Sequence, residues 1–154
     1  MLNNPGKPHI GNLMVKYGYA PTLADAIRDY LNRFKGEERH IRPEEAIDAI
    51  IQGGGIPILA HPSYGRGDEL VVHEDMDKRL RKLMGYGLKG VEAFYSGFTP
   101  TLQREMLSFA DKYNLYVTAG SDYHGSNKLV QLGDTNLEGT DYPLGLRRFL
   151  EAVL

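Results

Sequence analysis

Three side chains in this sequence have the types and spacing to do chemistry together: His61, Asp122 and His124. His61 directly follows the β-rich run Ile56-Pro-Ile-Leu-Ala60. Asp122 and His124 lie in Gly120-Ser-Asp-Tyr-His-Gly125, directly after the run Leu115-Tyr-Val-Thr-Ala119. In parallel α/β folds ligand sites form at the carboxyl ends of the strands, so both places are where a site belongs. Two imidazoles and one carboxylate suit Zn, Mn or Fe better than Ca, which prefers all-oxygen cages. Cysteine is absent, so His, Asp and Glu are the only strong candidates for holding an ion. Each feature alone also has a plainer reading. A His between a strand and a proline is often a hydrogen-bonded loop residue, and an isolated Asp-x-His is often an Asx turn. Their occurrence together at strand ends favours the metal reading.

Four further residues offer a second layer of chemistry. His9, with Gly6, Lys7 and Pro8, reads either as a phosphate contact or as a helix-start residue. Glu92 sits in the apolar run Gly90-Val-Glu-Ala-Phe-Tyr95, where a carboxylate is costly unless paired. It is therefore a site residue or the partner of a buried cation. Arg66 and Lys128 follow the two ligand loops and are placed to bind phosphate oxygens, or to be solvated loop charges. His40 and His73 lie among charged residues and read as solvated surface.

The elements that position these residues follow from periodicity. From Ile56 onward three β-runs alternate with segments of helical period, the pattern of βα units and a parallel sheet or barrel. One helix is predicted between Asp75 and Tyr86, with Met76, Leu80, Leu83 and Met84 on one stripe. Another starts at a Thr99 cap and Pro100 and carries Leu102, Met106, Phe109 and Ala110. A third, from about Pro43 to Ile51, presents Ala46, Ile47, Ile50 and Ile51 and stops at Gly53-Gly-Gly55, and a last runs from Pro143 toward Leu154. Residues 1–42 read as helix and loop without a strand, with Ile10, Leu13, Met14 and Tyr17 on one face and Thr22 capping a second helix. The expected division is thus a helical segment, 1–42, followed by βα units, 43–154.

Bulk properties bound the function. With 154 residues and 42% apolar content the chain can bury one core. A net charge of −2 with mixed signs excludes a groove that binds nucleic acid through phosphate neutralisation alone. The start, Met-Leu-Asn-Asn-Pro, has no signal-peptide character and no long apolar run follows, so the expectation is a cytoplasmic protein with no membrane partner.

The words Gly6-Lys-Pro-His-Ile10, Ile58-Leu-Ala-His-Pro62, Gly90-Val-Glu-Ala-Phe-Tyr95 and Thr118-Ala-Gly-Ser-Asp-Tyr-His-Gly125, followed by Lys128 and Leu132-Gly-Asp134, carry a resemblance. In order and spacing they resemble the PHP (polymerase and histidinol phosphatase) superfamily, and within it bacterial metal-dependent phosphoesterases that act on nucleotides and short RNA. The resemblance implies the C-terminal part of an irregular (β/α)₇ barrel, with residues 1–42 belonging to a helical insertion. It implies His61, Asp122 and His124 as metal ligands, in a complete site holding two or three divalent ions, usually Mn, Zn, Fe or Mg. His9 is implied near the substrate phosphate, and Lys7 stands where Arg is usual, which removes a bidentate fork. Phe98 stands where many relatives carry His.

The family's first motif, His-x-His followed by Asp, has no counterpart in this sequence, nor do its later His and Glu ligands. The resemblance therefore leads to two expectations. One is a phosphatase acting on a small phosphorylated substrate, a nucleotide or short oligonucleotide, its site completed by self-association or by a separate N-terminal half. The other is a truncated, catalytically silent fragment with residual metal binding that acts as an interaction module.

Overall fold

A computed structural model describes residues 6–33, 41–64 and 69–154. The chain forms two compact units that divide between residues 40 and 41.

In the first unit, α1 (Lys7–Lys16) places Pro8 in its first turn, where the missing N–H costs nothing. The Thr22 side chain caps α2 (Leu23–Asp25), accepting from the Asp25 amide at 3.1 Å. The helical run then continues as a π-turn (Ala26–Tyr30) and a 3₁₀ turn (Leu31–Arg33). The face expected to be apolar does not make the core of this unit: Ile10, Leu13 and Tyr17 are 44%, 53% and 67% exposed. Burial falls instead on Gly11, where an added Cβ would meet Leu23, Ala26 and Ile27, so a small residue sets the helix contact.

The second unit is α/β. Its elements are α3 (Pro43–Gln52), β1 (Ile58–Leu59), α4 (His73–Gly85), β2 (Gly90–Tyr95), α5 (Pro100–Lys112), β3 (Tyr116–Gly120) and α6 (Leu144–Val153). The three strands form a parallel sheet in the order β1-β2-β3, so the two sequence loops bearing His61 and Asp122 emerge on either side of β2. The core is built from the predicted stripes. Met76 and Leu80 of α4, Val91 and Ala93 of β2, and Met106 of α5 are all 0% exposed, and Val117 of β3 is 1% exposed. Of the α3 stripe only Ile47 is buried; Ile50 and Ile51 stay 42% and 39% exposed. The α5 cap is the one expected, with Thr99 Oγ1 accepting from the Leu102 amide at 3.3 Å.

The β2–β3 register positions the site. Glu92 pairs with Thr118, Phe94 pairs with Ala119, and the ladder shifts by a residue between Glu92 and Phe94. Strict alternation would send side chains 92 and 95 to opposite faces of the sheet. The shift lets both Glu92 and Tyr95 reach partners in the loops after the flanking strands. Among the described residues no helix is long and apolar enough to cross a membrane.

Candidate metal centre

His61 and Asp122 both have left-handed backbone, with φ of 32° and 53°. Non-glycine residues seldom adopt that region, and where they do the surroundings hold them there. For His61 the holding group is visible: its amide donates to Glu92 Oε2 at 2.7 Å, and its ring lies 5.6 Å from that of Tyr95. Tyr95 is packed in turn against Tyr64 and Phe98. Phe98, at 5% exposure, is a buried member of this aromatic cluster.

Around Asp122 three groups converge. The Tyr95 hydroxyl donates to Oδ2 at 3.3 Å, the Lys128 ammonium donates to the same oxygen, and His124 Nδ1 lies 3.3 Å from Oδ1. His124 Nδ1 is also 2.7 Å from the Asp122 carbonyl oxygen. A carbonyl can only accept, so in this arrangement Nδ1 carries a proton, which makes Nε2 the nitrogen that a neutral ring would turn to an ion. Partial burial pushes the Asp122 carboxyl up, but the hydrogen bond and charge of Lys128, with His124 and His61, outweigh it and hold the group below the usual carboxylate range. Burial likewise dominates at Glu92, raising its carboxyl above the ordinary value against the opposing amide of His61. The Tyr95 hydroxyl is raised by burial, against the nearby charge of Lys128.

The structure thus places Lys128 beside Asp122 and gives Glu92 a backbone amide as its partner. Of the two readings of Glu92, site residue or partner of a buried cation, the described residues show no cation partner; the amide of His61 binds the carboxylate. Two contacts were not singled out from sequence. Ser96 Oγ donates to the Ser121 carbonyl at 2.8 Å, tying the ends of β2 and β3 together. Asn136 Nδ2 donates to the Tyr95, Ser96 and Phe98 carbonyls at 2.9, 3.2 and 3.2 Å, clamping the turn that carries Tyr95. Their signal in the sequence was weak, because a lone Ser or Asn in a loop names no partner.

His9 and Lys7 lie in the first unit. His9 Nδ1 accepts from the Gly6 amide at 3.0 Å, a helix-start contact that leaves Nε2 for another partner, and Lys7 Nζ donates to Asn32 Oδ1 at 3.3 Å. Arg66 and His40 lie outside the described residues. His73 is exposed, as expected, yet both its amide and Nδ1 reach Glu105 Oε1, at 2.5 and 2.9 Å.

The donor types, two imidazoles and a carboxylate, fit a divalent ion. Among the described residues, however, no three His, Asp or Glu side chains converge into a group able to hold one. Two open clefts, of about 680 and 720 Å³, lie beside the β2–α5 turn and share Asn136; neither is lined by His61, Asp122 or His124.

No family model matches the chain. Among solved structures, a protein of Bifidobacterium adolescentis, solved as a candidate metal-dependent phosphoesterase, superposes with a TM-score of 0.66 at 30% identity over 84% of this chain and 46% of that one. With the parallel sheet, this likeness supports a relation to the C-terminal portion of the metal-dependent phosphoesterases of the PHP superfamily. The chain is also similar to curated proteins of two kinds. The chain is 29% identical to the 5′-3′ exoribonuclease Rnm of Salmonella typhimurium over 134 residues, covering 81% of this chain and 42% of the relative. It is 31% identical over 86 residues to a phosphoribosyl 1,2-cyclic phosphate 1,2-diphosphodiesterase of Eggerthella lenta, covering 56% of this chain and 29% of the relative. An amidohydrolase of Chromobacterium violaceum, solved with bound sulfate and no metal, matches with a TM-score of 0.66 at 25% identity over 97% of this chain and 52% of that one. The chain therefore spans less than half the length of the Salmonella relative.

Proposed function

We propose that this chain supplies part of a divalent-metal site that hydrolyses phosphate esters of nucleotides or short oligonucleotides, with His61, Asp122 and His124 as its ligands. The observation that carries the reading is the pair of left-handed residues, His61 and Asp122, held at neighbouring strand ends on either side of β2. When bound, divalent ions neutralise phosphoryl oxygens and lower the pKa of a water so that it can attack in line. Lys128 helps hold the Asp122 carboxyl below its ordinary range, and the Nδ1 contact of His124 leaves Nε2 as the ligating nitrogen of a neutral ring. Lys128 and Arg66 are proposed contacts to the phosphate, and Glu92 supports the site. Mn, Zn, Fe and Mg all suit two imidazoles and a carboxylate. Further ligands come from outside the described residues; β1 and β3 each have a strand neighbour on one side only in the described sheet, which supports pairing with further strands or a second copy.

Relatives that act on RNA and on a cyclic phosphate diester favour phosphorus over amide chemistry. The alternative is an interaction module with residual metal binding, which relatives that are themselves enzymes do not support. Phosphate release from nucleoside mono- and bisphosphates with added Mn²⁺ separates the two. Turnover that disappears in Asp122→Ala is the result expected of the enzyme; turnover unchanged by that substitution refutes the ligand assignment, and none in either chain leaves the module.

A further inference from the structure

Glu92 occupies a costly place. It sits on the central strand of the sheet, half-buried, between Val91 and Ala93, which are both fully buried. A carboxylate there must have a built reason. Its Oε2 accepts from the amide of His61 at 2.7 Å, reaching from β2 to the end of β1. On the opposite flank, its other oxygen lies against Gly120 of β3. A Cβ at 120 would overlap Glu92 Oε1 outright. Gly120 has no positive φ that would otherwise demand glycine, so the carboxylate accounts for the missing side chain. One side chain thus spans three adjacent strands, bonding the first and excluding a Cβ from the third.

The bonded amide belongs to a residue in a strained backbone state. Left-handed backbone at a non-glycine residue is unfavourable by itself and persists only where neighbours fix it. A hydrogen bond from a backbone amide to a carboxylate is among the stronger kinds, worth about twice a neutral one. The turn beyond His61 supplies further restraint, since the Tyr64 amide donates to the His61 carbonyl at 3.1 Å and the Tyr64 hydroxyl to the Gly97 carbonyl at 2.7 Å. None of these bonds the His61 amide itself.

We propose that Glu92 is a positioning residue: it clamps the His61 amide so that the imidazole is presented beside Tyr95 and Asp122, and Gly120 is glycine to leave room for the clamp. The effect on metal binding rests on reading His61 as a ligand. The clamp itself does not.

The test therefore has two readouts on the intact chain. The first is hydrogen exchange of the His61 amide, followed by NMR. Glu92→Ala is expected to speed it at least about tenfold, while Glu92→Gln, which keeps an acceptor of the same reach, retains most of the protection. Gly120→Ala approaches from the other strand: by crowding Oε1 it is expected to loosen the same amide. Unchanged exchange at His61 in Glu92→Ala, or in a folded Gly120→Ala, overturns the proposal. The second readout is Mn²⁺ affinity. A positioning role predicts loss in Glu92→Ala and rescue in Glu92→Gln; equal loss in both, with the His61 amide still protected in Gln, makes Glu92 a ligand and overturns it. If His61→Ala binds Mn²⁺ as the parent does, the metal reading fails, and the amide exchange still decides the clamp.

Discussion

The Lys128 ammonium donates to Asp122 Oδ2, the same oxygen that the Tyr95 hydroxyl reaches from β2. Burial alone would favour the protonated carboxyl; this contact reverses the balance and keeps the ionised form at lower pH. Lys128→Met is therefore expected to move the Asp122 carboxyl upward, to or above the ordinary value of about 3.9. A side-chain carbon titration followed by NMR reads the shift. An Asp122 carboxyl that titrates where it does in the parent would show that Lys128 is not the controlling charge.

Asp77 controls acid stability on the outer side of the unit. It accepts from Lys112 Nζ at 2.7 Å and from the Tyr113 hydroxyl at 2.5 Å, and pairs with Arg81 at 2.7 Å, joining α4 to the end of α5. The Lys112 and Tyr113 hydrogen bonds hold its carboxyl below the ordinary range. A group with a lowered folded pKa stabilises the fold above its unfolded value, about 3.9, and loses that contribution as pH falls through the folded one. Asp77→Asn should lower stability at neutral pH and flatten its decline below about pH 4. Urea unfolding across pH checks this, and parallel curves for the two chains would contradict it.

Two helical glycines should respond with opposite sign to alanine. At Gly145, near the start of α6, a Cβ would come within 2.8 Å of the Leu115 carbonyl oxygen and of Val117 Cγ2, so α6 rides on β3 through a missing side chain. At Gly85, the last residue of α4, nothing lies within 4 Å. Gly145→Ala is expected to cost about 1–3 kcal/mol through overpacking, and Gly85→Ala to gain about 0.5 kcal/mol from backbone entropy. Thermal melts of the two variants read both; destabilisation by both would show that α4 ends differently from what is described.

Much of the second unit was legible because its burial follows period. The α4 stripe Met76, Leu80 and Leu83 is buried as its spacing requires, and Thr99 with Pro100 announced α5 to the residue. The β1 run shrank from five residues to Ile58–Leu59, because two residues suffice to pair with Gly90 and Val91 and proline at position 57 has no amide to donate. The first unit was read less well. Its apolar face on α1 is exposed, and the contact is made through Gly11, which carries no hydropathy signal. At the site, the sequence marked His61, Asp122 and His124 by their places after strands. It was silent on the left-handed backbone, on Asn136 and on the amide partner of Glu92, since these depend on which strand ends become neighbours and on a shift of register that no periodicity announces.

Whether His61, Asp122 and His124 ligate a metal is decided by titrating the chain with Mn²⁺ and following the free ion by its paramagnetic resonance signal. Saturable binding is expected, weakened at least about tenfold by His61→Ala and by Asp122→Ala, with both variants folded. No saturable binding, or the same affinity in the chain and both variants, would contradict the ligand assignment.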